Sequence, residues 1–281
     1  MTWILLTLVY GILKGVREIV KKKSLEKSTV MEVLFFYTLF GFLLLLPEAG
    51  HVGGVLPGQM FWIAFKSFLI FVAWICSFKA IEKIPISVYG ILDLSRVLFA
   101  TLLGIIVLKE VLGPLQIAGL VLVATGLLML KIKKGRKPEN TATKYVILAF
   151  ISCVLNAVSG LMDKILTKEI TSAQLQFWYM LYLMLFYALY LVITRTKIRW
   201  KKVLKNYWIW ILSILFIIAD RCLFVANSIP ESRVSVMTLV KQSGCIVTII
   251  AGRLIFKEKN IGYKLLCAAV IIAGIVIGVM K

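Results

Sequence analysis

Charged residues placed inside otherwise apolar runs are where the chemistry of this chain must be sought. Apart from Lys131 at the very end of its run, ten basic residues fall within such runs: Lys14, Arg17, Lys66, Lys79, Arg96, Lys164, Arg221, Lys241, Arg253 and Lys264. Apart from Glu32 at the start of its run, only Glu18, Asp93, Asp163 and Asp220 oppose them. In a bilayer centre each charge costs about 2.5–3.5 kcal/mol on insertion scales, so it must face a partner or a water-filled interior. Lys79, Lys164, Arg253 and Lys264 lie near the ends of their runs, where long cations snorkel to the surface. Lys66 reads either way.

The remaining charges form a central set. Asp93 and Arg96 are three apart, hence on one helix face, as are Lys14 and Glu18 at a spacing of four, with Arg17 beside them. Asp220-Arg221 and Lys241 lie in later runs, and Asp163 is taken as the counterpart of Glu18. Two uses compete. Internal pairs (Asp93–Lys241, Asp220–Arg221, Lys14–Glu18) would lock helices together; alternatively the same groups line a hydrated cavity that holds a polar solute. The cationic excess points to an anionic or zwitterionic solute. Arg96 would offer a bidentate fork and Lys241 a point charge. A carboxylate in such a cavity can also carry a proton, with Glu18, Asp163, Asp93 and Asp220 as candidates. Trp74, Tyr89 and Phe224 neighbour this set and are the aromatic candidates; other rings on the second and seventh runs suit belts and lipid packing equally well.

The elements that position these charges are membrane helices. Of 281 residues, 61% are hydrophobic, and mean hydropathy is +0.96. Ten runs (2–20, 31–47, 60–81, 86–108, 112–131, 145–167, 173–194, 206–227, 234–256 and 262–280) are each close to the roughly 20 residues a helix needs to cross the hydrocarbon. They are too long for barrel strands, so the expected fold is all-α, with ten transmembrane helices. A first five-helix repeat over 1–131, a basic linker over 132–144 and a second repeat over 145–281 follow. An odd number of crossings per repeat inverts one relative to the other, the arrangement that places a transporter's site between two halves. A shift of 148 residues lays Leu108-Lys109-Glu110 on Phe256-Lys257-Glu258, Ser95 on Ser243, Gly104 on Gly252, Gly126 on Gly274, and Asp93 on Lys241. Ile84-Pro85 and Ile229-Pro230 each open a helix, where the missing N–H of proline costs nothing.

The run from Arg96 to Glu110, followed by Leu115–Gly119 and Thr125-Gly126, resembles the EamA-type signature of the drug/metabolite transporter superfamily, and Gly252, Glu258 and Ala273-Gly274 repeat it. The resemblance implies a ten-helix, inverted-repeat secondary transporter, an exporter or exchanger of a small organic solute working by alternating access. Two features depart from the family. Arginine stands at position 96, near where proline is common. Family members are described with cytoplasmic termini, whereas connections on one side of this chain carry nineteen Lys/Arg against four on the other, which puts both termini outside the cytoplasm.

Several classes are excluded. The net charge of +20 sits in short connections at headgroup level, so anionic lipid, not nucleic acid, is the macromolecular partner implied. One histidine, His51, lies in a loop, and no GxSxG, HExxH, CxxC or Walker pattern occurs, so neither an enzyme, a metal site, a cofactor nor direct ATP coupling is expected. The five cysteines are scattered packing residues. The first run is read as a retained helix of a multi-pass cell-membrane protein, not a cleavable signal. Small residues on the fifth and tenth runs suit close packing, within a monomer or across a homodimer. A flippase for a lipid-linked substrate and an exporter of cationic drugs are the alternative functions.

Overall fold

A computed structural model of the chain describes residues 2–99, 103, 113–132, 140–167, 169–229, 240–258 and 260–279, and every regular element among them is helical. The helices are α1 (Thr2–Leu25), α2 (Val30–Leu45), α3 (Pro57–Lys83), α4 (Ile86–Asp93), α5 (Pro114–Ile132), α6 (Asn140–Leu166), α7 (Ser172–Ile193), α8 (Trp200–Leu204), α9 (Tyr207–Ser228), α10 (Ser243–Leu254) and α11 (Ile261–Val279). A 3-10 turn, Leu46–His51, follows α2.

Local chemistry sets the helix starts. Thr29 and Glu32 form a capping box on α2, and Thr171 and Gln174 form one on α7, each satisfying two orphan N–H groups. Pro57 opens α3 and Pro85 precedes α4. Among the described residues four stretches are long and apolar enough to cross a membrane: Val30–His51, Pro57–Lys83, Thr143–Asp163 and Ser172–Ile193. With 24 and 22 residues, α1 and α9 match them in length, but Lys14, Arg17 and Glu18 break the apolar run of α1. Helix α6 begins at Asn140, so the last part of the expected linker is helical. The rest of that linker, 133–139, lies outside the described residues, as do Gly104, Lys109, Glu110, Lys168, Pro230 and Arg233.

The two halves interlock. Helix α1 packs on α9 and α10, α3 on α6 and α7, α4 on α10, and α5 on α11. Aromatic and aliphatic side chains of α2, α3, α7 and α9 fill the largest core, with Phe36, Tyr37, Phe78, Tyr187 and Phe216 fully buried. Lipid supplies no hydrophobic force between helices, so small residues set how closely they approach. A Cβ on Gly244 of α10 would lie 2.7 Å from the carbonyl oxygen of Gly11 on α1. At the α5–α11 crossing, Gly126 meets Cys267 and Ile271, while Gly274 meets Gly119 and Val123. These residues exchange under the 148-residue shift, so the contact is reciprocal. Gly119, Gly126, Ala268 and Gly274 are therefore engaged within the chain, whereas Ala118, Ala124, Ala269 and Ala273 are exposed.

Candidate functional site

Helices α4 and α10 are both interrupted at equivalent places. Leu94 and Ser95 form a turn between α4 and a helical stretch at 96–99; Gln242 forms one between the helical Lys241 and α10. The turn in the first half carries 3-10-type bonds, from Leu94 N–H to the Ile91 carbonyl (3.1 Å) and from Ser95 N–H to that of Leu92 (3.0 Å). Asp93 and Lys241, paired by the repeat, each stand immediately before a break, and Arg96 stands just after the first. Helix breaks at membrane depth need other groups to satisfy the freed backbone, and in transporters they mark binding sites.

Around these breaks the charges join in one network. Asp93 accepts from Lys14 Nζ at 2.6 Å and from Arg96 at 2.9 Å. Glu18 takes Lys21 at 2.8 Å, Asp220 takes Arg17 at 3.4 Å, and Asp163 takes Lys66 at 3.0 Å. Lys66 also stands 4.0 Å over the ring of Tyr179, and Arg17 5.1 Å over that of Phe216. Lys241, whose backbone carbonyl borders Gly11 of α1, makes no hydrogen bond or ion pair among the described residues. Among the described residues six cations (Lys14, Arg17, Lys21, Lys66, Arg96 and Lys241) thus stand with four carboxylates there, an excess of two. The Nε of Arg96 is buried and unpartnered.

A cavity of about 10 Å³ lies beside the network, lined among others by Lys14, Glu18, Tyr89, Asp93, Gln242 and Thr248. It has room for about one water. In this conformation the centre is packed, with no space for an organic solute in that cavity.

The three pairs expected from sequence do not form. Asp93 is held by Lys14 and Arg96 and leaves Lys241 free of it. Lys14 reaches across to α4, so Glu18 turns to Lys21, one turn on. Adjacent side chains on a helix point apart, so Asp220 faces Arg17 while Arg221 pairs with Glu48 of the 3-10 turn, away from the central set. Asp163 has Lys66 as partner, which settles Lys66 as buried and paired. Trp74 packs against Tyr37, Tyr179 and Phe216, linking the network to the aromatic core. Tyr89 shares a 2.7 Å hydrogen bond with Ser77. The side chains of Phe224 and Lys164 lie outside the described residues.

One functional contact was missed. Glu258, in the α10–α11 connection, accepts the Ile86 N–H at 2.6 Å, the Ser87 hydroxyl, and Lys264 Nζ at 2.9 Å. Lys264, expected to snorkel, is instead a buried partner. This clasp ties the start of α4 to the other half, and Lys22 reinforces it by donating to the Ile84 carbonyl at 2.5 Å while lying over Phe256. The sequence signal was the matched Lys-Glu pair after each ninth-helix-type run, which marks the position but not its distant partner.

An interlocked two-repeat helical bundle with a charged centre is an arrangement that membrane transporters use. The chain belongs to the EamA-like transporter family, whose profile matches residues 1–132 and again 143–280. It is accordingly a multi-pass membrane protein of the drug/metabolite transporter superfamily, in a family of transporters. The fold is shared with a protein of known crystal structure that is 12% identical, with a TM-score of 0.69 over 99% of this chain and 98% of that one. None of the curated proteins compared matches this chain.

Proposed function

We propose that this protein is a secondary transporter that moves a small anionic or zwitterionic organic solute by alternating access, with ten helices crossing the membrane as two inverted five-helix halves. The observation that carries the reading is the central excess of two cations among the described residues, where Lys241, beside the break in its helix, makes no hydrogen bond or ion pair. Ion pairs that served only to lock helices would balance. The reciprocal α5–α11 crossing supports inverted halves, because it relates equivalent residues by one shift.

Accessibility supports a pathway as well. Arg96 keeps 32% of its side chain accessible and Asp163 keeps 37%; charges at this depth that faced lipid would cost about 2.5–3.5 kcal/mol each, so an aqueous crevice suits them better. The packed centre fits a closed conformation, from which solute entry requires α4 and α10 to separate. All four central carboxylates hold cations, so exchange of one solute for another, which needs no proton, fits more simply than proton coupling. A cationic drug would enter against like charge.

Reconstituted in liposomes, the protein should exchange an anionic or zwitterionic metabolite, and Arg96→Ala with Lys241→Ala should each lower the rate at least tenfold. Variants that transport every such candidate like the parent would refute the reading.

A further inference from the structure

We infer that Glu258 is the latch of a gate: the seam between α4 and α10 closes the path on the side of the α1–α2 and α10–α11 connections, and Glu258 holds it shut. The inference rests on the alternating-access reading above and is independent of the solute. Along the seam the two helices meet in antiparallel register. Nearest the connections, a Cβ on Gly252 would stand 3.2 Å from the Cβ of Ser87. One turn deeper, a Cβ on Gly90 would overlap the hydroxyl of Thr248. Below these two rungs lies the small cavity, walled there by Asp93 and Leu94 from the first half and by Gly244 and Cys245 from the second. Ser87 is 0% accessible and Thr248 2%, so the seam leaves no gap for water between the cavity and that side.

Glu258 crowns this seam. Its own N–H donates to the Gly252 carbonyl at 2.9 Å, which folds the connection back over the end of α10. The carboxylate then reaches across to the other half, accepting from the Ile86 N–H and the Ser87 hydroxyl, while Lys264 donates to the Ser87 hydroxyl oxygen at 2.7 Å. These bonds are charge-assisted, and so strong for their number. The rungs beneath contribute packing but, among the described residues, no hydrogen bond between α4 and α10. Releasing one carboxylate therefore removes the polar tie and leaves small residues that can part. Accessibility is lopsided about the cavity. Glu258 and Lys264 keep 9% and 11% of their side chains accessible, whereas Arg96, beyond the cavity and away from the seam, keeps 32%. The conformation is thus shut at the latch and more open on the opposite side.

The test uses a chain whose five native cysteines are replaced, carrying Gln242→Cys on the cavity wall. A cationic, membrane-impermeant methanethiosulfonate is applied to either face of sealed proteoliposomes. Lys27→Cys, made separately at an exposed position of the α1–α2 connection, reports which face carries the latch. Gln242→Cys should label at least tenfold faster from the opposite face. Adding Glu258→Ala should speed labelling from the latch face at least tenfold, and Glu258→Asp should keep part of the original sidedness. A Ser87→Cys and Gly252→Cys pair, about 0.3 Å short of disulfide spacing, gives a second measurement that holds where Glu258→Ala fails to fold. Oxidation of that pair should abolish labelling from the latch face, and reduction should return it. The inference is overturned by unchanged sidedness in Glu258→Ala, by faster labelling from the latch face with Glu258 intact, or by a pair that does not crosslink or whose crosslink leaves latch-face labelling unaltered. Each of these leaves the transporter reading standing. A cavity thiol that reacts from neither face in any variant overturns both.

Discussion

Asp93 holds two cations from two helices, and nearly all of its side chain is buried. Removing one member of such a group leaves charge without compensation, which costs about 3–5 kcal/mol. Asp93→Asn should therefore lower the free energy of unfolding in detergent by that amount, and adding Lys14→Met should recover part of the loss. A stable single variant would show that the carboxylate does not balance Lys14 and Arg96. The residue types of this set could be read from sequence because charge within an apolar run is rare. Their partners could not. Lys14 could reach Glu18 along α1 or Asp93 across to α4, and only the approach of α1 to the second half decides it. Asp220 and Arg221 illustrate the converse, since neighbours in sequence diverge around a helix.

At the level of helices, the breaks in α4 and α10 and the Glu258 clasp do the positioning. Ser95 and Ser243 matched in the repeat, but neither break carries a proline or a glycine at its turn in α4, so periodicity alone continued both helices through it. Glu258 itself lies outside the spanning segments. Burial pushes the Glu258 carboxyl up, and the bonds from Ser87, Lys264 and the Ile86 N–H pull it down further, to a net value below the usual range. A carboxylate lowered in the folded state stabilises it above the unfolded value of about 4.3, and that contribution disappears as pH falls through the folded value. Near pH 7, Glu258→Gln should cost about 1.5–3 kcal/mol, the range for hydrogen bonds to a charged group. Below about pH 4.3 the two proteins should converge in melting temperature. Curves that stay parallel across that range would show that the carboxylate charge does not hold α4.

Across the whole molecule, composition and span length suffice for an all-helical membrane protein, and the 148-residue shift exposes the duplication through Gly126 and Gly274, which the structure then brings into reciprocal contact. Which half-helices interlock was hidden, because α1 packs mainly on the second repeat and that pairing leaves no periodic trace in α1 itself. The central claim is that Lys241 lines a path reachable from both sides of the membrane and does not merely brace the helices. The direct measurement uses Lys241→Cys in a chain whose five native cysteines are replaced, treated from either face with a cationic, membrane-impermeant thiol reagent. Modification from both faces, slowed by bound solute and restoring part of the lost transport, is the expected result. A thiol that reacts from neither face would contradict the claim.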